Sequence, residues 1–142
     1  MPALSELVDA LDGIVHEPTQ RHDDRVDLTV REVFEVREPG RVDFGGGELE
    51  DAELVPHDRT WRNDDDEYQW WGLDAGQYLI EYNERLDIDE RAVLQVRDEL
   101  RARGVFHPTL HVDTLSMVPL SVAAGGLQLK ENARVSTLLA DR

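Results

Sequence analysis

The run Gly76-Gln77-Tyr78-Leu79-Ile80-Glu81-Tyr82 is the most strand-like stretch of the chain: aromatic and branched side chains dominate it, and a glycine opens it. Upstream, Val26, Leu28 and Val30 alternate with Asp27, Thr29 and Arg31, and Val33-Phe34-Glu35-Val36-Arg37 continues the alternation. Such a pattern predicts a strand with one apolar and one polar face. Glu38-Pro39-Gly40 turns it, and Val42 with Phe44 begins another strand that breaks at Gly45-Gly46-Gly47. Leu49 to Val55 reads as a further strand, Pro56 to Glu67 as an exposed polar loop, and Leu86 with Ile88 as a short extended piece. Asp89 to Arg103 admits one helix, or a strand at Ala92-Val93-Leu94-Gln95-Val96 followed by a short helix over Asp98 to Arg103 that Gly104 ends. Thr109 to Asp113, Met117 to Val122, Leu127 to Leu129 and Arg134 to Leu139 are short β runs between Pro and Gly signals. At the start, Leu4, Leu7, Val8 and Leu11 predict a short amphipathic helix over Ser5 to Leu11, stopped by Gly13. Many short strands with one or two helices predict a mainly β barrel or sandwich, in one domain over residues 1–142.

A chain of 142 residues buries roughly 68% of its unfolded surface on folding, so a core forms without staples. The absence of cysteine excludes disulfides and thiolate metal sites. No window approaches the ~18 consecutive apolar residues of a membrane span, and the acidic first residues lack a signal peptide's basic region. The expected compartment is the cytoplasm. The formal net charge is −16, and the positive side is fourteen arginines with a single lysine, Lys130. An acid-rich surface with Arg in place of Lys predicts an extreme halophile, because molar salt shortens the Debye length to ~3 Å and removes the self-repulsion. Duplex nucleic acid is not an expected partner: the longest basic run is Arg101-Ala102-Arg103.

From Gly72 to Leu138 the order of elements resembles the trimeric dUTPase and dCTP deaminase superfamily. Gly76 to Glu84 looks like the family's strand before its phosphate motif. Arg97-Asp98-Glu99-Leu100-Arg101-Ala102-Arg103-Gly104 lies where the family has R-S-S-L-x-R-x-G, with Arg97, Leu100 and Gly104 matching. Val112-Asp113 occupies the place of the family's I-D pair, and Leu127 to Leu138, with Arg134, follows the closing pattern. Val26-Asp27-Leu28 is similar to the early S-x-D-L strand. The resemblance implies a dUTPase-like β-barrel of the β-clip kind, with a short N-terminal helix and one short internal helix, assembled as a homotrimer. It also implies a deoxynucleoside triphosphate as ligand, and pyrophosphate release or deamination as the reaction. In that setting Asp113 is the base, Arg97 meets phosphate, Asp98, Glu99, Gly104 and Arg134 line the substrate site, and Mg²⁺ supplies counter-charge. Trimerisation fits the charge-free stretch Thr114 to Leu129, since interface cores are depleted of charge.

The departures bear on the chemistry. Asp98 and Glu99 stand where the family has two serines, and each carboxylate repels a phosphate charge by ~1 kcal/mol at 4 Å even in water. Ala102 replaces the second motif arginine, between Arg101 and Arg103. The tyrosine and glycine that follow the I-D pair in dUTPases are missing, Val118-Pro119-Leu120-Ser121-Val122 carries no glutamate, and the glycine-rich closing arm is absent. A second reading follows: a catalytically silent protein of this fold with a regulatory or assembly role.

Read from the residues alone, Asp113 leaves the core face of its strand together with His111, as a base or as a solvated strand end. Arg97 can pair a phosphate or form a structural ion pair with Asp98 or Glu90. His107, His111 and Asp113 share a strand face that a divalent metal would accept, but their spacing matches no closed zinc pattern; they read as exposed, and no metal is assigned. Asp64-Asp65-Asp66-Glu67 lacks a calcium loop's rhythm and reads as solvated. Trp61, Trp70 and Trp71 offer base-stacking faces or, more simply, core and interface anchors. Gly45-Gly46-Gly47 precedes no helix with Lys and Ser/Thr and is not a phosphate loop.

Overall fold

A computed structural model describes residues 1–141. Its centre is β2 (Arg25–Glu38), fourteen residues long, where Val26, Leu28, Val30 and Val33 are buried as the alternation requires. The other face is covered too. Asp27 and Thr29, expected to face solvent, are buried as well, because helices and neighbouring strands close over both sides of the first half of the strand.

Beside β2 lie β5 (Gly76–Tyr82) and β12 (Arg134–Leu139), both antiparallel to it and both with the expected bounds. β3 (Glu53–Pro56) pairs with the far end of β2. β7 (Ala92–Val96), β8 (Val105–Phe106), β9 (Leu110–Val112) and β10 (Val118–Val122) complete the main sheet, in the order β8-β10-β5-β2-β12-β7-β9. Register shifts between Val30 and Glu32, and between Val36 and Glu38, bend β2 and curl the sheet around one core. A separate pair, β4 (Trp70–Leu73) with β11 (Leu127–Lys130), brings fully buried Trp71 into that core. The last pair is β1 (Leu11–Asp12) with β6 (Arg85–Leu86).

Among the described residues three one- or two-turn helices precede or join the strands. α1 (Leu4–Asp9) buries Leu7, and α3 (Asp98–Arg101) buries Leu100, in the two places expected. α2 (Glu17–Gln20) was not foreseen, although Pro18 in its first turn suits a helix start. The expected strand at Val42 and Phe44 does not form: both side chains are exposed, and a hairpin tip replaces it. The strand expected from Leu49 begins only at Glu53, and β8 lies in a stretch where no strand was expected. The tryptophans divide, Trp71 into the core, Trp70 half-buried and Trp61 exposed. Among the described residues no helix is long and apolar enough to cross a membrane.

His107 corrects another expectation. It is buried instead of exposed, and it stands before β9, so it shares no strand face with His111 and Asp113, which are exposed. Its Nδ1 lies 2.8 Å from the Pro108 carbonyl, which can only accept, so Nδ1 carries the hydrogen. Nε2 then accepts from Ser136 Oγ at 2.7 Å, and Ser136 accepts from the Tyr82 hydroxyl at 2.6 Å. Burial disfavours the charged imidazole and pulls its pKa below the usual 6.5, while burial drives the Tyr82 phenol upward. Below pH 6.5 the unfolded chain therefore takes up a proton that the folded chain resists, and stability falls as pH is lowered. His107→Gln should remove this component, which amounts to at most about 1.4 kcal/mol per pH unit. Urea titrations of both proteins from neutral to mildly acidic pH would show parallel curves if His107 does not titrate this way.

Candidate functional site

Arg97, Asp98 and Glu99 come together at the junction of β7 and α3, as their adjacency in sequence demands. The structure adds the opposite wall: Arg25 and Asp27 from β2, with Thr137 and Leu139 from β12. These enclose a cleft of about 290 Å³ lined by four carboxylates (Asp24, Asp27, Asp98, Glu99) and two guanidiniums (Arg25, Arg97).

Asp27 organises the charge. Its side chain is 2% exposed, and its Oδ2 lies 2.9 Å from Arg134 Nη1, 3.0 Å from His22 Nε2 and 3.7 Å from Arg97 Nε. Oδ1 has no hydrogen-bond partner among the described residues, and Arg25 Nε stands 3.8 Å from it. A carboxylate this deeply buried is sustained by the cations around it. Asp27, His22 and Arg25 were not among the residues assigned to a site from sequence. The sequence signal for Asp27 was its place in Val26-Asp27-Leu28, which resembles the family's S-x-D-L strand; the alternation alone directed it to solvent.

Arg97 makes structural pairs, though with partners other than those expected. Glu99 lies 3.1 Å from its Nη2 and Asp27 3.7 Å from its Nε, while its Nη1 donates to the Arg134 carbonyl at 3.0 Å. Glu90 instead pairs with the N-terminal ammonium, and exposed Asp98 pairs with Arg101 at 3.0 Å. Arg103 donates to the Glu99 carbonyl. Gly104 closes α3 at φ 79°, where a Cβ would come within 2.9 Å of Ala123. Asp113, at the end of β9, does not line this cleft. It is exposed, and its carbonyl accepts from the Ile88 amide.

A second buried carboxylate, Glu84, sits behind the strand end. Gln20 Nε2 and Thr29 Oγ1 donate to its Oε2, each at 2.7 Å, and the Thr29 amide donates to Oε1 at 2.9 Å. Burial raises its pKa against these hydrogen bonds, which favour the ionised form. Among the described residues no three ligating side chains are grouped to hold a metal ion.

No protein-family model matches the chain, and no curated protein matches it. A crystal structure of a 2′-deoxycytidine 5′-triphosphate deaminase from Agrobacterium tumefaciens is similar over 92% of this chain, with a TM-score of 0.62 and 14% sequence identity. The chain spans 43% of the length of that deaminase chain. At this identity the likeness is one of fold, and the mainly β, dUTPase-like architecture expected from residues 72–138 is the architecture the chain has.

Proposed function

We propose that the chain is a deoxynucleotide-handling protein of this fold, with the phosphates of a deoxynucleoside triphosphate directed to the cleft at Arg97. The observation that supports it is the convergence of Arg97 and Arg134 on buried Asp27, beside the segment that resembles the family's phosphate motif. In this reading Arg97 and Arg134 exchange part of their hold on Asp27 for phosphate oxygens, and Gly104 keeps the turn after α3 tight. Asp113 does not line that cleft, so a hydrolytic or deaminating step needs Asp113 from a neighbouring copy, as in the homotrimer the resemblance implies. Mg²⁺ would be held mainly through the substrate's phosphates and would neutralise charge on them when bound.

A second reading, a catalytically silent protein of the fold, is favoured by a specific observation: Arg97 is already paired with Asp27 and Glu99, and Asp98 and Glu99 add negative charge to the same cleft. One experiment separates the two. Purified protein in molar KCl with Mg²⁺ is given dUTP and dCTP while pyrophosphate and ammonia are followed together. The enzymatic reading expects product that Asp113→Asn abolishes; no product and no nucleotide-dependent rise in Tm overturns it. Under either reading the double variant Asp98→Ser/Glu99→Ser should bind triphosphate more tightly, by about fivefold per carboxylate removed at ~1 kcal/mol each. Calorimetric titration at equal salt checks this, and unchanged affinity would place the phosphates elsewhere.

A further inference from the structure

We propose that the hairpin tip between Arg41 and Glu50 is an arm that docks into an uncharged hollow on the β8–β10 face of a second copy of this chain. The proposal does not depend on the nucleotide reading.

The arm is built and presented, and its apolar side chains face outward. Arg41 and Glu50 pair through both backbone amides, at 2.8 and 2.9 Å, and through an ion pair at 2.6 Å. Asp43 holds the tip, its two carboxylate oxygens accepting from the Gly46 and Glu48 amides at 2.8 and 2.9 Å. On this loop Val42 is 90% exposed, Phe44 is fully exposed and Leu49 is mostly so. A Cβ added at Gly45, Gly46 or Gly47 would meet nothing within 4 Å, so the tip stands clear of its own fold. Single exposed apolar residues are ordinary, but a braced loop that carries three of them together is an interaction surface.

The hollow lies on another part of the same chain. Phe106, Pro108, Pro119 and Leu120, with the uncharged Gln77 and Ser121, line a cavity of about 230 Å³, and Phe106 is itself 56% exposed. It opens beside Thr114 to Leu129, a stretch without a charged residue in a chain of net charge −16. Charged surface stays hydrated and, outside molar salt, repels its like, so an uncharged face is where two such chains can shed water and pack. The arm suits that face: Arg41 and Glu50 neutralise each other, Asp43 is engaged with amides, and what projects is apolar. The chain thus carries both the knob and the hole, which is the argument for a second copy over a foreign partner.

An arm in a hollow elsewhere on the molecule makes a head-to-tail contact, in which each copy gives one arm and receives one. A lone arm covers less than the ~800 Å² per partner of a stable interface, so the assembly is held by closing the ring, where every copy makes the contact twice.

The absence of cysteine makes the test clean. Gly45→Cys, which keeps Phe44 and where a Cβ meets nothing within 4 Å, and Ser121→Cys are purified separately, mixed in molar KCl and oxidised. The mixture should give disulfide-linked pairs, one of each variant by mass, at least about tenfold faster than Gly45→Cys mixed with Ser5→Cys, because docking raises the effective concentration. Phe44→Ser should shift the mass from light scattering toward the monomer while leaving the circular dichroism spectrum unchanged. Equal rates in the two mixtures overturn the proposal, as does cross-linking of Gly45→Cys with itself, which would mean arm meeting arm. A wild-type monomer whose arm binds only lipid vesicles overturns it in favour of a membrane surface.

Discussion

Asp27→Ala is expected to lower stability by about 3 kcal/mol, the lower end of the range for breaking a buried ion pair, because Arg134 and His22 keep some access to water. For a chain of this size that is a fall in Tm of roughly 6–12 °C. Three cationic or protonatable side chains lie within 3.7 Å of one carboxylate oxygen, and without it Arg134 keeps only a longer bond to the uncharged Thr19 carbonyl, at 3.3 Å, among the contacts of the described residues. Arg97 suffers less, since Glu99 and the Arg134 carbonyl remain. Asp27→Asn should lie between the two proteins: its amide oxygen can keep the Arg134 and His22 contacts, while its NH₂, placed at the unpartnered Oδ1 position, faces Arg25. The alanine change also frees Arg97, which lines the cleft, from one of its two carboxylates, so triphosphate affinity should rise while stability falls. Urea unfolding and nucleotide titration on the same preparation read both quantities. A variant as stable as wild type would mean that the guanidiniums are adequately hydrated without Asp27, and that the carboxylate is incidental to the fold.

The strands that were legible in the sequence are those whose side chains settle the matter locally. Gly76–Tyr82, Ala92–Val96 and Arg134–Leu139 have the expected bounds because branched and aromatic residues fill them and turn residues bracket them. Val42 and Phe44 carry the same local signal, yet they form no strand, since the glycines after them and Asp43's hold on the turn favour a tip. Alternation in β2 identified a strand but could not report that both faces would be covered. That depends on α2 and on neighbours distant in sequence, so the burial of Asp27 and Thr29 was out of reach. The same limit applies to His107, whose partner Ser136 lies 29 residues away, and to Arg97, whose adjacency to Glu99 was visible while its pairing with Asp27 was not. Sequence singled out Arg97 to Glu99, which do line a cleft, and missed the wall that β2 contributes. Spacing along one strand describes Asp113 well, but it says nothing about distance from another loop.

Glu84→Ala is expected to be at least as disruptive as the loss of Asp27, at about 3 kcal/mol or more, because every neighbour of Glu84 is a donor. Gln20 is fixed in that role: its Oε1 accepts from the Val15 and His16 amides, and its Nε2 donates to the Asp27 carbonyl as well as to Glu84. Thr29 Oγ1 accepts from Asn83 Nδ2, so its own hydrogen points to Glu84. Removing the carboxylate strands the Thr29 amide, the Thr29 hydroxyl and one Gln20 hydrogen, at about 1–3 kcal/mol for each group left without a partner. Glu84→Gln tests whether two acceptor oxygens are needed. An amide oxygen at the Oε2 position places NH₂ against the Thr29 amide, and the reverse orientation places it against Gln20, so either way donor meets donor; because the uncharged amide also escapes the burial cost that raises the Glu84 pKa, the loss is expected to be smaller than for Glu84→Ala. The pH dependence distinguishes this from simple loss of packing. Burial raises the Glu84 pKa above 4.5, so its contribution to wild-type stability is fully present below 4.5 and is lost as pH rises through the folded value. The glutamine variant cannot titrate there, and the wild type's advantage over it should widen as pH falls through that window. A gap that stays constant with pH would show that Glu84 keeps an ordinary pKa, and that the donors around it fully compensate its burial.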